Sequence, residues 1–361
     1  MFEVEPVENK QPQGRAAAAA DKRFRAFDPH QALLLPPSLD DRLPEGHLAG
    51  FVADLVDDVL DPGPVLADYT EKRGFPPYDP RLMVRLLICG YTTGVHSSRA
   101  IERKCVDDIA FRFLAADQAP DFRSISRFRR RRQGRAGTSD ESAVTEAGHK
   151  AAAKARPKPK AQANFTDPDS RIMKNGAGAY IQAYNAQAVV DEAHQVITAA
   201  DLTTNASDTL DYTTMLDQSH ANTGIHPGQA LLDAGYCSET NLEAAKDRQL
   251  ACGTETFMAT GRLGHDEQVP PAPRGRIPAN ATLKERMARK LRTKPGKAAY
   301  IRRKAIIEPV FGQIMTCQNG RRLMLRGEDG ARAEWRLLAA CHNLRKIFRH
   351  VGTAGLTAAI G

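Results

Sequence analysis

Apolar residues at Leu48, Phe51, Val52, Leu55, Val56 and Val59 recur at helical spacing, and Asp61-Pro62-Gly63 ends the run. Asp79-Pro80 reads as a helix start, a side-chain cap followed by a ring already set for the first turn, and the run Leu82–Cys89 follows until Gly90 to Gly94 weakens it. Ser97-Ser98 offers another cap ahead of Ile101, Cys105, Ile109 and Phe113. A further helix starts at Ser124 and passes through Ile125 and Phe128 into Arg129–Arg132. Residues 133–163 lose all apolar periodicity and are rich in Gly, Ala, Ser, Lys and Pro, the composition of a linker.

The period then changes to two. Positions alternate from Ala179 to Val190, Asp191–His194 makes a turn and Gln195–Ala200 returns, which predicts a hairpin. A capped helix is expected near Asp208–Gln218, a short strand at Gln229–Leu232, a helix from Ser238 and one more strand at Thr256–Ala259. The Pro- and Lys/Arg-rich stretch 262–298 reads as loose. Two helices close the chain, one around Ile307, Val310, Phe311 and Ile314, the other around Leu337, Cys341, Leu344 and Phe348. The pattern is a small all-α domain followed by an α/β domain with a mixed sheet.

Composition adds bounds. The 361 residues are 42% hydrophobic and 26% charged, an ordinary globular balance with room for two domains. Met1–Arg25 is polar and reads as a disordered tail. No run approaches the ~20 apolar residues of a membrane span and no signal-peptide pattern is read at the start. The six cysteines are scattered without a C-x-x-C pair, so reduced thiols and a cytoplasmic location are expected.

Charge is distributed unevenly. The formal net charge is +8, yet residues 31–70 hold eight acids and one base, whereas residues 121–160 carry twelve Lys/Arg against four acids and residues 281–350 eighteen against five. Two basic blocks suit a polyanion, because Lys and Arg release counterions from phosphate, and they suit a solvated basic surface as well. Helices ending in Arg127, Arg129, Arg130, Arg131 and Arg132 fit a helix-turn-helix-like DNA binder and a generic bundle alike. Arginines this dense would mostly hold phosphate rather than read bases.

Two acids stand out. Asp233 ends a strand and precedes Ala234-Gly235-Tyr236, so it lies either at the rim of a sheet where ligands bind or at the cap of the next turn. Glu308 lies among bases and apolar residues, where it can pair with Arg303 or Lys304 or ligate a metal.

Several segments together resemble the DDE transposases of bacterial insertion sequences. They are Asp167-Pro168-Asp169-Ser170-Arg171-Ile172-Met173-Lys174, Tyr184-Asn185-Ala186-Gln187-Ala188-Val189-Val190-Asp191, Asp233-Ala234-Gly235-Tyr236, and Ile307-Glu308-Pro309-Val310-Phe311-Gly312-Gln313-Ile314, with Trp335-Arg336-Leu337-Leu338 and His342-Asn343-Leu344 at the close. Leu82–Phe128 resembles the helical domain that precedes the catalytic core in those proteins. The likeness covers most of residues 30–350.

The resemblance implies a ribonuclease H-like core in which two aspartates and a glutamate hold two Mg²⁺, with Mn²⁺ as a substitute. It implies DNA as partner, both terminal inverted repeats and target, and a homodimer on that DNA. Asp233 matches the second aspartate and Glu308 the glutamate, while Tyr300 and Arg303 match residues expected to hold DNA. The chain departs from the family twice. No Asp-Gly-Thr strand carrying the first aspartate lies between Arg132 and Phe165. Asp167 and Asp169 are the candidates to substitute, but neither follows an apolar run that could deliver it from a sheet, and the local signals are turn-like. Met315 stands where a lysine is usual.

The expected layout is therefore a tail at 1–29, a helical DNA-binding domain at 30–132, a basic linker at 133–163, a ribonuclease H-like domain lacking its first strand at 164–350, and a tail at 351–361. The expected function is DNA transposition impaired by the lost aspartate, or alternatively a catalytically inactive DNA-binding remnant. An unrelated metal hydrolase is the third reading, against which His220, His226 and His265 show no ligand spacing.

Overall fold

The computed structural model describes residues 38–66, 77–131, 164–175, 178–261, 270–271 and 274–360. The expected linker at 133–163, the whole expected N-terminal tail at 1–29 and Arg132 lie outside the described residues.

The first helix, α1 (Leu48–Asp54), continues as a π-helical turn over Leu55–Val59, and His47 caps it by accepting from the Ala49 amide at 3.0 Å. A short helix α2 (Gly63–Leu66) follows. In α3 (Pro80–Thr93) Asp79 accepts from the Arg81 amide at 2.8 Å, and the helix ends because Gly94 adopts φ 82°, a left-handed conformation suited to glycine.

The single helix expected across Ile101 to Phe113 is two. α4 (Ser98–Asp107) stops and α5 (Ile109–Leu114) starts at Asp108, whose extended backbone and carboxylate cap the amides of Ala110 and Phe111. The arginine-rich helix α6 spans Phe122–Arg131, starting earlier than Ser124 because Asp121 caps it.

Strand β1 (Arg171–Lys174) pairs antiparallel with β2 (Tyr180–Ala183), and β3 (Asn185–Val190) pairs antiparallel with β4 (Ile197–Thr203). The continuous strand expected from Ala179 to Val190 is thus divided between two sheets at Tyr184. Helix α7 (Tyr212–Thr223) leads to β5 (Gln229–Leu232), then α8 (Glu239–Cys252) to β6 (Glu255–Met258), and β5 and β6 pair in parallel. The stretch expected to be loose contains α9 (Leu283–Arg292), started by a complete capping box between Thr282 and Glu285. α10 (Lys294–Thr316) carries Pro309 inside it, and α11 (Glu328–Ile360) runs past residue 350, broken at Gly352.

The chain is therefore mixed α/β, but its six described strands form three two-stranded sheets rather than one. Two apolar cores result. The larger joins Phe51, Leu86, Tyr91, Ile101, Leu114 and Ile125 of the helical segment to Leu202, Ile314, Trp335 and Leu338, with α11 packed against α1, α3 and β4. The smaller contains Tyr212, Leu216, Ala230, Leu242, Ala245 and Met258, around β5 and β6. Asn343 fixes α11 to β4 by accepting from the Ile197 amide and donating to the Ile197 carbonyl, both at 2.8 Å. The described residues from Leu39 onward belong to one compact unit.

Candidate active site

Asp233 ends β5. Its carboxylate accepts from the Gly235 amide at 2.9 Å, so it caps the short 3₁₀ turn Ala234–Tyr236 while lining a cavity of about 390 Å³. Both expectations for Asp233, a cap and a rim position, are met by one conformation.

A second acid, Asp208, lines the same cavity. One of its oxygens accepts from Asn185 Nδ2 at 2.6 Å and Gln187 Nε2 at 2.8 Å. Its other oxygen occupies the space that a Cβ on residue 235 would need, so only glycine permits this approach of strand end and acid. Tyr236 donates to Gln187 Oε1 and closes the cluster. Burial pushes the Tyr236 phenol upward, and the charges of Asp208, Asp233 and Asp211 add to it. Burial likewise raises the Asp211 carboxyl, reinforced by Asp208 and Asp201.

Sequence reasoning missed Asp208, Asn185, Gln187 and Tyr236. Asp208 precedes a helix and reads as part of its capped start. Asn185 and Gln187 are two apart in a strand and so share a face, which is the one signal in the sequence that points to them.

From α10, Arg302, Arg303, Ile306, Ile307 and Phe311 line the cavity. Arg303 lies 5.7 Å from the centre of the Tyr300 ring. Burial raises the Tyr300 hydroxyl, Asp233 raises it further, and Arg303 opposes both, so Tyr300, Arg303 and Asp233 share one neighbourhood. Glu308 is exposed on the same helix and does not line the cavity.

The remaining candidates separate into two groups. Arg127, Arg130 and Arg131 lie exposed on α6. Arg129 corrects the sequence expectation, because it is buried and spends its guanidinium inside the protein. It donates to Tyr91 Oη and the His96 carbonyl, both at 3.0 Å, and to Ser98 Oγ at 2.5 Å. Asp167 and Asp169, the possible substitutes for a first aspartate, are engaged at the start of α11. Asp167 accepts from Tyr184 Oη at 2.8 Å and the Gly327 amide at 3.1 Å, and Asp169 from the Glu328 amide at 3.1 Å.

Residues 148–344 match the transposase DDE domain family, and residues 37–131 match a transposase domain family (DUF772). The chain belongs to the DDE transposases. No curated protein and no solved structure matches it.

DDE transposases generally use divalent metal ions. Hard cations of this kind need several carboxylate oxygens converging on one point. Among the described residues of this transposase, no group of three or more His, Cys, Asp or Glu is placed to hold a metal ion. Among the described residues Asp233 and Asp208 meet at the cavity while Glu308 is exposed beside it, and this described donor set does not fit a two-metal centre.

Proposed function

We propose that this chain is an insertion-sequence transposase with a ribonuclease H-like ancestry that binds DNA but is impaired in cutting it. In-line displacement at a phosphodiester requires stabilisation of both attacking and leaving oxygens, for which two-metal enzymes place two ions roughly 3.5–4 Å apart on shared carboxylates. The observation that carries the reading is the divided acid set, with Asp233 and Asp208 at the cavity and Glu308 outside it. Arg127, Arg130 and Arg131, with the basic α9 and α10, supply the charge for DNA. Element ends are the expected ligand and a homodimer the expected assembly on them.

The test pairs two assays on one duplex carrying the terminal inverted repeats that flank the gene. Fluorescence anisotropy should report binding, and incubation with Mg²⁺ or Mn²⁺ should leave the strands essentially uncut. Efficient cleavage that is abolished in Asp233→Asn would overturn the impairment and make Asp208 the first candidate for the absent ligand. Failure to bind any DNA would overturn the reading altogether.

A further inference from the structure

The cavity beside Asp233 is a gap between two of the two-stranded sheets, β3–β4 and β5–β6. Six consecutive residues of β3, Asn185 to Val190, line it, and so do all four of β5, Gln229 to Leu232. Side chains of a strand alternate between faces, so consecutive residues can all line one space only where the strand turns its edge toward it. Among the described residues β3 pairs with β4 alone and β5 with β6 alone, which leaves the two facing edges without a strand partner.

The directions of those edges are defined by their bridges. Gln187, near the start of β3, meets Tyr236 just past the end of β5. Arg302 clasps the opposite end, donating to both oxygens of Glu192 at 2.7 Å and to Gln229 Oε1 at 2.6 Å. β3 and β5 therefore run antiparallel across the gap. One face of the gap is closed by Tyr212, Met215 and Leu216 of α7 and the other by Ile306, Ile307 and Phe311 of α10.

We infer that this gap is a docking site for an extended polypeptide segment of another protein, inserted as a strand parallel to β5 and antiparallel to β3. A backbone supplies the alternating donors and acceptors that two facing strand edges require. The chemistry of the segment follows from the walls. Its side chains point alternately at α7 and α10, so both faces are apolar over about five residues at strand spacing. Its C-terminal end arrives beside Asp208, Asp211 and Asp233, and that concentration of acids selects a lysine or arginine there. Docking is independent of whether the chain cuts DNA.

The probe is a fluorescein-labelled hexapeptide, Thr-Val-Ile-Val-Val-Lys with blocked termini, titrated with the full chain in the absence of DNA. Saturable binding is expected. It should weaken roughly tenfold or more when the central Ile-Val is replaced by Pro-Val, which removes a ladder amide while keeping the peptide apolar. It should weaken about as much again when the lysine becomes glutamate. Hydrogen exchange should slow at 185–190 and 229–232 when the peptide is present. Ala188→Trp, which crowds one wall of the gap, should abolish binding. Equal affinity for the proline peptide, protection elsewhere, or no binding would each overturn the inference. Dimerisation of the chain that Ala188→Trp removes would overturn the assigned occupant in favour of a second copy.

Discussion

The helical segment and the α/β segment solve the problem of burying polar groups in different ways. Around α3 and α6 the core is dense and its charges are enclosed: Glu334 is 1% exposed and accepts from Tyr91 Oη at 2.6 Å and from the Met324 and Leu325 amides at 2.6 and 2.7 Å. Around β3 and β5 the apolar walls face a cavity, and the ion pair closing it, Arg302–Glu192, is 40% and 54% exposed. Enclosed charges tie α11 to the helical core, whereas the exposed clasp leaves the gap accessible. Stability should therefore concentrate in the first region and binding capacity in the second.

The largest expected effect tests the enclosed charges. Glu334→Ala removes the acceptor for three donors and leaves Arg129 buried beside Tyr91 without the carboxylate beyond it, which should cost about 3–5 kcal/mol in urea unfolding. Glu192→Ala breaks only a solvated pair and should cost less than about 1 kcal/mol. Similar costs in the two variants would erase the contrast. A matched pair of truncations sharpens it. Leu86, fully buried in α3, should cost about 2–5 kcal/mol on replacement by alanine. Leu231 already borders the cavity, and Leu231→Ala should cost about 1 kcal/mol, because a wall open on one side gives up few packed atoms.

Acid should act on the helical segment first. His96 is 2% exposed and stacks on Tyr91 at 4.3 Å between ring centres. Burial, helped by the Arg129 charge, lowers its pKa to about 4 from an ordinary 6.5. The unfolded chain binds this proton and the folded chain does not between those values, so stability is complete above pH 6.5, falls as pH drops toward 4 and is flat below. The total contribution is about 3.5 kcal/mol at most, since one pKa unit is worth about 1.4 kcal/mol. Burial lowers His342 in the same direction. His96→Gln should flatten part of the slope in urea midpoints measured between neutral and acidic pH, and an unchanged slope would assign the acid sensitivity elsewhere.

Local signals carry much of this organisation. The Asp79-Pro80 start, the β3–β4 hairpin and the placement of Asp233 at a strand end follow from caps and from period-two alternation, which are properties of neighbouring residues. Around α9 the Pro and Lys content suggests a loose chain and masks the Thr-x-x-Glu cap at Thr282 and Glu285 that starts a helix. Asp208 is invisible for a different reason. An acid ahead of a helix looks like a cap, and only the approach of Gly235 from a remote strand end makes it part of the site. The division into three sheets is likewise tertiary, since alternation indicates that strands exist and nothing about which edges remain unpaired.

The smallest expected change in stability accompanies the clearest change in binding, and it separates neighbours on one helix. Ile125, Phe128 and Arg129 fall at i, i+3 and i+4, so the period that buries the first two also buries the third. Arg127, Arg130 and Arg131 fall off that stripe and are not buried. Replacing Arg127 and Arg130 with glutamine should leave urea stability within about 0.5 kcal/mol, as for surface changes generally. It should also weaken DNA binding across sequences and reduce the slope of log affinity against log salt by about 0.9 for each phosphate no longer neutralised. Arg129→Gln should do the reverse: it leaves Tyr91, Ser98 and the His96 carbonyl without their donor and lowers stability, while the salt slope of the fraction that remains folded stays unchanged. A salt slope that falls with Arg129→Gln and not with the outer pair would mean that α6 turns a different face to DNA.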